Sequence, residues 1–551
     1  MGGGVRGTGS AALTAATALG LMALLAPVLV VAVPPLVDFP NHLARLWLLT
    51  RPIPAPLAQI YAPAWDTLTN IGIDLLAVVL SWAVDYTVAG RIVVALAVLL
   101  PPLGATVLYR VLHGRWHWWQ LSFGLLAWSM ATLDGFLNFE IGMGAAMLAA
   151  SLEPLLSRRP WWFAFAARIA LTALLLLVHA FAVLFYAALI CAFLWAGQGP
   201  PGRVVLRIGL GAAGRAASVV TAIALMATLA PHLPGAEVNG GLGGVVQNFQ
   251  NGFASLVASP LAKLKRAVVG LRSYSDLVDV ATAAVLATPV LAAAALRRLH
   301  VHVGMALVTC GLVACFFVFP FYIAGGSWID ARFVHMAPYT MALALCPDLP
   351  GRWAGAMAGL LLAMSFSRTS SVTIAWRADQ TNVESVRRAI AAVPPGAAIL
   401  AVEHQLTAFR SAPFGRYTMV GEATYRHLPA LAIPWRMAFI PSLFAARGMQ
   451  PVRVLPPWSR LSAPDGGWLL SVDALVHPER YAGLIRSTRY WAEWQADFDY
   501  VLVLNADMPD DNGPFIAPAS MTLVADEGFA RLFAVARTPP GPGGSQQQRA
   551  P

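Results

Sequence analysis

Residues Ala11 to Arg45 read AALTAATALGLMALLAPVLVVAVPPLVDFPNHLAR. The first part, Ala11 to Val33, is almost wholly apolar and long enough to cross a hydrocarbon core of about 30 Å as a helix. A short basic start at Arg6 is also what a secretory signal carries. This apolar core is too long for one, however, and Pro34-Pro35 is not a small-residue cleavage site. The run is therefore a retained first membrane helix. The polar segment after it, with Asp38 between prolines, is the first emergence of the chain from the bilayer.

Comparable runs recur to about Arg368 and then stop. The chain has 551 residues, of which 58% are hydrophobic and 12% charged, a balance no ordinary soluble domain holds over such a length. From Trp376 onward the text turns polar, proline-rich and charge-mixed, with apolar stretches of strand length. The expected fold class is a multi-span α-helical membrane protein of about eleven transmembrane helices with a C-terminal extracytoplasmic α/β domain. Residues 1–373 form the membrane part, 374–537 the α/β domain, and 538–551 a Pro-, Gly- and Gln-rich tail of disordered composition. Cys191, Cys310, Cys315 and Cys346 all fall in or beside apolar runs, so the C-terminal domain has neither a disulfide scaffold nor a zinc ribbon. A net charge of +10 raises nucleic acid as a partner. The arginines nonetheless cluster in short loops between apolar runs, as topology signals do, and no nucleic-acid partner is expected.

A cytoplasmic N-terminus puts Arg110, His113 and Arg115, then Arg158 and Arg159, then Arg203, Arg207 and Arg215, and later Arg297 and Arg298 on the inner side. Outer loops then span 34–90 and 231–275, and Lys263, Lys265 and Arg266 in the second of these break the pattern. Among the spans so placed are 91–109, 118–133, 136–152 and 354–367. The stretch Ile71 to Val88 is apolar but carries Asp74 and Asp85, and a spanning reading inverts every later loop. It reads instead as an interfacial or re-entrant helix. The odd number of spans leaves the tail opposite the N-terminus. In a bacterium this describes a multi-pass protein of the inner membrane with its C-terminal domain in the periplasm.

Carboxylates at the outer helix ends are costly to keep and are the first site candidates. Asp38 leads, because Pro35 and Pro40 restrain it close to the bilayer surface. In a helix beginning near Asn41, His42 and Arg45 share one face of that helix at i and i+3, which puts an acid, an imidazole and a guanidinium within reach of one ligand. The plainer alternative makes Asp38 an N-cap and Arg45 a lipid-headgroup contact. Asp134 lies in LDGFLNFE, residues 133–140, in the next outer loop. His179 sits between two outer helix ends in a very apolar setting, as a groove-lining or a satisfied structural histidine. Asp330 and Arg332, in SWIDAR, stand at a third outer helix end, as a local ion pair or as part of a site. Gly142 and Gly144 read as close-packing positions.

At VDFPNHLAR the chain resembles the membrane glycosyltransferases of the GT-C fold, polyprenyl-phosphate-sugar-dependent enzymes that include the lipopolysaccharide-core transferases of rhizobia and the protein mannosyltransferases. An acid in the first outer loop just after helix one carries the resemblance. The in-plane helix of that loop, the multi-span core and the outer soluble tail support it. Asp134 matches a second carboxylate of the family. The resemblance implies transfer of a sugar from a polyprenyl-phosphate carrier to an envelope glycan, lipid or protein on the outer face, usually with inversion. Asp38 is then the general base, with Asp134 beside it. Arg332, with Arg45 second, stabilises the leaving phosphate. His42, His179 and Asp330 complete the carrier-binding set. Where many members have paired acids, this loop has one acid followed by His42. Whether Asp38 and Asp134 share a divalent metal, or any metal is used, stays open.

Strands are expected at 398–402, 500–504 and 531–536, with helices at 383–393 and 490–494, and no phosphate-cradling or nucleophile motif accompanies them. Trp435, Trp458 and Trp468 suit stacking on sugar rings or packing against the membrane core. Two other classes remain: a transporter or flippase of lipid-linked sugars, and a non-catalytic protein of envelope polysaccharide assembly. The first lacks the expected internal repeat of broken helices.

Overall fold

A computed structural model describes residues 5–196, 201–229, 241–323, 326–463, 466–467, 469–481 and 490–536. Trp468, Gly325, residues 231–240 of the second outer loop and the tail 538–551 lie outside these. The protein is mostly helical, with a small C-terminal sheet. Its main helices are α1 (Val5–Ala23), α2 (Phe39–Leu49), α3 (Gly72–Leu80), α4 (Tyr86–His113), α5 (Leu137–Ala150), α6 (Trp161–Val178) and α7 (Ala180–Ala192). They continue with α8 (Pro201–Leu229), α9 (Gly241–Ala258), α10 (Pro260–Ala267), α11 (Asp276–Ala295), α12 (Val303–Val318), α13 (Ile329–Ala344) and α14 (Gly351–Ala389).

Among the described residues, five helical stretches are long and apolar enough to cross a membrane: Tyr86–His113, Leu137–Leu156, Trp161–Val178, Ile208–Leu229 and Asp276–Ala295. In the last three, only 22% of the most apolar window is buried by protein. Such surface is unfavourable in water and natural in hydrocarbon. Shorter apolar helices cover Ala11–Ala23, Ala180–Trp195 and Val303–Val318.

Three expected spans are built differently. The first breaks after Ala23, and a separate turn of helix, Ala26–Val30, restarts with Pro27 in its first turn. The stretch 118–133 is three short pieces, a 3₁₀ turn at Trp118–Leu121 and helices Ser122–Leu126 and Met130–Asp134. A capping box between His117 and Gln120 opens it, and the Ser129 hydroxyl caps the last piece. The last expected span, 354–367, runs on through the expected helix at 383–393 as one 39-residue helix, α14. No glycine or proline interrupts the chain between Gly359 and Pro394, so leaving the apolar region does not end the helix. The expected boundary at 373 falls inside it.

The stretch expected to be interfacial is the nine-residue α3, too short to span at about 1.5 Å per residue. Asp85 then caps α4 by accepting from the Thr87 and Val88 amides. Gly144 of α5 packs where a Cβ would lie 2.4 Å from the backbone of Leu100, and Gly142 where one would lie 2.8 Å from Ala182. Both glycines are the close-packing positions that the sequence suggests.

Loops sort to two ends of the bundle. At one end, strands β2 (Leu299–Val301) and β3 (Leu345–Pro347) pair, His113 bonds the Leu343 carbonyl, and the Asp348 amide donates to Arg298. At the other end, β1 (Tyr61–Pro63) of the first loop pairs antiparallel with β5 (Val452–Val454) of the C-terminal domain, and Arg410 of that domain bonds Asp276 at the start of α11. His113, Arg298 and Asp348, which the charge bias groups on one side, are thus together in space.

The C-terminal sheet comprises β4 (Ile399–Glu403), β6 (Leu470–Ser471), β7 (Tyr500–Leu504), β8 (Met521–Asp526) and β9 (Arg531–Val535), in the order β6-β4-β7-β9-β8. Strand β4 is parallel to both neighbours, and β9 is antiparallel to β7 and β8. Expected strands at 398–402, 500–504 and 531–536 match β4, β7 and β9. The aromatic helix expected at 490–494 is displaced to Trp494–Asp497. Leu36, Phe39, Leu43 and Trp47 share one apolar core with Tyr425, Leu428, Leu443 and the sheet, so the first loop and this domain fold as a unit.

Candidate active site

The helix Met130–Asp134 ends in Gly135, which takes a left-handed conformation (φ +87°) and closes the cap, the Gly135 and Phe136 amides bonding back to Thr132 and Ala131. That turn receives the first loop. The amides of Val37 and Asp38 donate to the carbonyls of Leu133 and Asp134, at 3.1 and 2.9 Å. A Cβ on Gly135 would lie 3.1 Å from both the amide nitrogen and the Cβ of Asp38. A side chain there would push Asp38 out of place.

Pro40 in the first turn of α2 presets its start. Asp38 precedes the helix, yet its side chain makes no capping hydrogen bond. The capping alternative therefore does not describe it. Its carboxylate instead lines a cavity of about 290 Å³ together with His42, Arg45, Phe136, Phe139, His179, Phe181, Arg332 and Phe444. Burial pushes the Asp38 pKa up to about 7, against the charges of Arg426, Arg332 and Arg45.

The C-terminal domain reaches this acid through His427, whose Nε2 lies 3.5 Å from Asp38 Oδ1. Asn41 fixes the ring. Its Oδ1 accepts from the Phe444 amide at 2.7 Å, so its Nδ2 is the donor end, bonding the Ser442 carbonyl and His427 Nδ1. With Nδ1 accepting, the imidazole proton sits on Nε2 and faces Asp38. Burial lowers the His427 pKa to about 3, so the ring is neutral.

Asp134 adjoins Asp38 through the backbone bond from the Asp38 amide, and its buried Oδ1 has no hydrogen-bond partner among the described residues. Burial, then the nearby charges of Glu422 and Asp38, raise its pKa well above the ordinary carboxylate range. Arg426, ion-paired with Glu422, supplies positive charge to this group. Among the described residues no set of three or more His, Cys, Asp or Glu is arranged to hold a metal ion.

Arg332 enters from α13. Its guanidinium carbon stands 5.4, 5.9 and 5.2 Å from the ring centres of Phe136, Phe139 and Phe181, and among the described residues no carboxylate forms a salt bridge with it. Its Nε has no hydrogen-bond partner among the described residues. The aromatic faces hold the cation while leaving its donors toward the cavity. His179 caps α7, its Nδ1 accepting from the Phe181 amide at 3.1 Å, which leaves the Nε2 proton as a donor. Burial and the charge of Arg45 push the His42 pKa well below its ordinary value, and its Nδ1 has no hydrogen-bond partner among the described residues.

Two candidates are engaged elsewhere. Arg45 lines the cavity but makes a two-pronged, fully buried ion pair with Asp74, at 2.7 and 3.0 Å. Asp330 is not in the cavity. Residues two apart on a helix face opposite ways, and Asp330 pairs with Lys263 at 2.7 Å and Arg266 at 3.3 Å. That pairing explains why α10 carries basic residues against the charge bias. Asn41, His427, Glu422 and Arg426 escaped sequence reasoning. Asn41 and His427 meet across 386 residues of chain, a contact that no local pattern signals.

No protein-family model, no curated protein and no solved structure matches this chain.

Proposed function

We propose that the chain is a membrane-embedded glycosyltransferase of the GT-C type, with about eleven spans counting its shorter and broken helices. It moves a sugar from a polyprenyl-phosphate carrier to an envelope acceptor at the end of the bundle where the first loop meets the C-terminal domain. One observation carries the reading: a buried acid poised near neutrality and a guanidinium that forms no salt bridge among the described residues line the same cavity. An acceptor hydroxyl attacks the anomeric carbon and gives its proton to Asp38. The new C–O bond forms as the bond from that carbon to the phosphate oxygen breaks, and the oxygen leaves with the electron pair. Arg332 stabilises the charge that develops on the phosphate, and His179 Nε2 is a second donor. His427 orients Asp38, and Asp134 holds its loop. In a bacterium the reaction face is the periplasmic side of the inner membrane.

The test is a mass comparison of envelope glycans from cells with the protein, without it, and with Asp38→Asn at equal expression. Loss of one sugar unit in both deficient strains is the expected result. Glycans left complete by Asp38→Asn refute the base assignment, and glycans unchanged by deletion favour a carrier-transport role.

A further inference from the structure

The C-terminal domain contains a second cavity, of about 310 Å³, within the range of small-ligand sites. It sits at the carboxyl end of β4. That strand is flanked by parallel β6 on one side and parallel β7 on the other, so the chain leaves it in one direction and returns in the other. Connections that diverge in this way open a crevice beyond the strand end, the usual ligand position in open α/β sheets.

The lining is polar. Glu403 ends β4, and Gln405, Thr407, Tyr417 and Arg426 share the cavity with it. The Tyr417 and Tyr425 hydroxyls are 2.6 Å apart, and Tyr425 bonds the Glu403 carboxyl. Asp510 and Asp511 stand at the rim, accepting from the Gln405 and Thr407 amides. Arg426 is the one cation lining the cavity among the described residues, and it is already paired with Glu422. A phosphate or an acidic sugar meets this surplus of carboxylates, and an apolar ligand strands every polar group. A ligand with several uncharged hydroxyls can bond carboxyl, amide and phenol in turn.

We propose that this cavity binds an uncharged sugar residue. Burial holds Glu403 near neutrality, at about 7, so that it can both donate to and accept from hydroxyls. The segment 422–427 joins the two cavities: Arg426 lines this one, while the adjacent His427 meets Asp38. The sugar is then part of the acceptor, a role that rests on the transferase reading, whereas binding itself does not.

The experiment is saturation-transfer NMR on the full-length protein in lipid nanodiscs, with no donor present. Glucose, galactose, mannose and maltose serve as neutral probes, and glucuronate and inorganic phosphate as charged ones. Signal from at least one neutral sugar is expected, falling at least about fivefold in Gln405→Ala and Thr407→Val and persisting in Asp38→Asn. These rim positions are half-buried or exposed and avoid the folding risk of altering Glu403. Absence of signal from every neutral sugar, signal that survives both rim substitutions, or equal signal from glucuronate overturns the proposal. If sugar binds as described while deletion of the protein leaves envelope glycans complete, only the transferase reading fails.

Discussion

Asp38 is an acid whose surroundings oppose its ionisation, and this has two measurable consequences. As a base it acts only when ionised, so sugar incorporation in vitro should rise with pH through a midpoint near 7. His427→Ala removes the proton that faces the carboxylate and favours its charged form. The midpoint should then move upward by roughly one unit, the worth of about one hydrogen bond. A merely structural His427 would lower the rate without moving the midpoint. The second consequence concerns stability. The folded pKa of about 7 exceeds the ordinary carboxyl value of 3.8, so between these limits the folded state binds more protons and stability falls as pH rises. Asp38→Asn removes that penalty. Thermal unfolding should show the variant more stable than the parent at pH 8, by about 4 kcal/mol, with the gap closing near pH 4. A gap that does not change with pH would mean that burial does not set this pKa.

At the scale of elements, the turn 133–137 and the start of α2 form one joint, and Gly135 is its tightest point. Gly135→Ala adds a Cβ 3.1 Å from Asp38 and forces a non-glycine residue into the left-handed region. Incorporation should fall at least tenfold while the protein still reaches the membrane, and unchanged activity would show that the joint tolerates displacement. Much of this scale was legible in the text of the chain. Prolines around Asp38 announce a restrained acid, Leu-Asp-Gly-Phe announces a helix end, and β-rich runs mark β4, β7 and β9. What was not legible has physical causes. Helix α14 continues because solvent polarity does not end a helix that lacks glycine and proline. Asp330 was grouped with Arg332 because they are neighbours in sequence, whereas helical geometry turns them apart and Lys263 supplies the true partner. Strand β8 was missed because it is largely solvent-exposed and lacks an apolar alternation.

At the scale of the molecule, the first loop and the C-terminal domain occupy the same end of the bundle, joined by the β1–β5 ladder. Ala62 faces Arg453 in that ladder, and partners in antiparallel strands lie about 4.5–5.5 Å apart between Cα atoms, within disulfide reach. The pair Ala62→Cys with Arg453→Cys should therefore cross-link under mild oxidation, giving a mobility shift reversed by reductant. Failure to cross-link in a folded protein would contradict the ladder. Labelling of either single cysteine by an impermeant thiol reagent in intact cells fixes which side of the membrane carries the candidate site. A label gained only after permeabilisation removes the proposed periplasmic reaction.

Helix α14 is one rod of 39 residues rooted in the bundle through buried Arg368, which bonds Asp279 and the Trp128 carbonyl, and ending beneath the sheet. Two bodies threaded on a single rod are geared to each other by its pitch. One residue added to the rod between them advances the outer body by about 100° around the axis, and a full turn nearly restores the phase. Asp38, carried by the outer body, meets the turn 133–137 of the bundle at only one such setting, so the length of this shaft is itself part of the site.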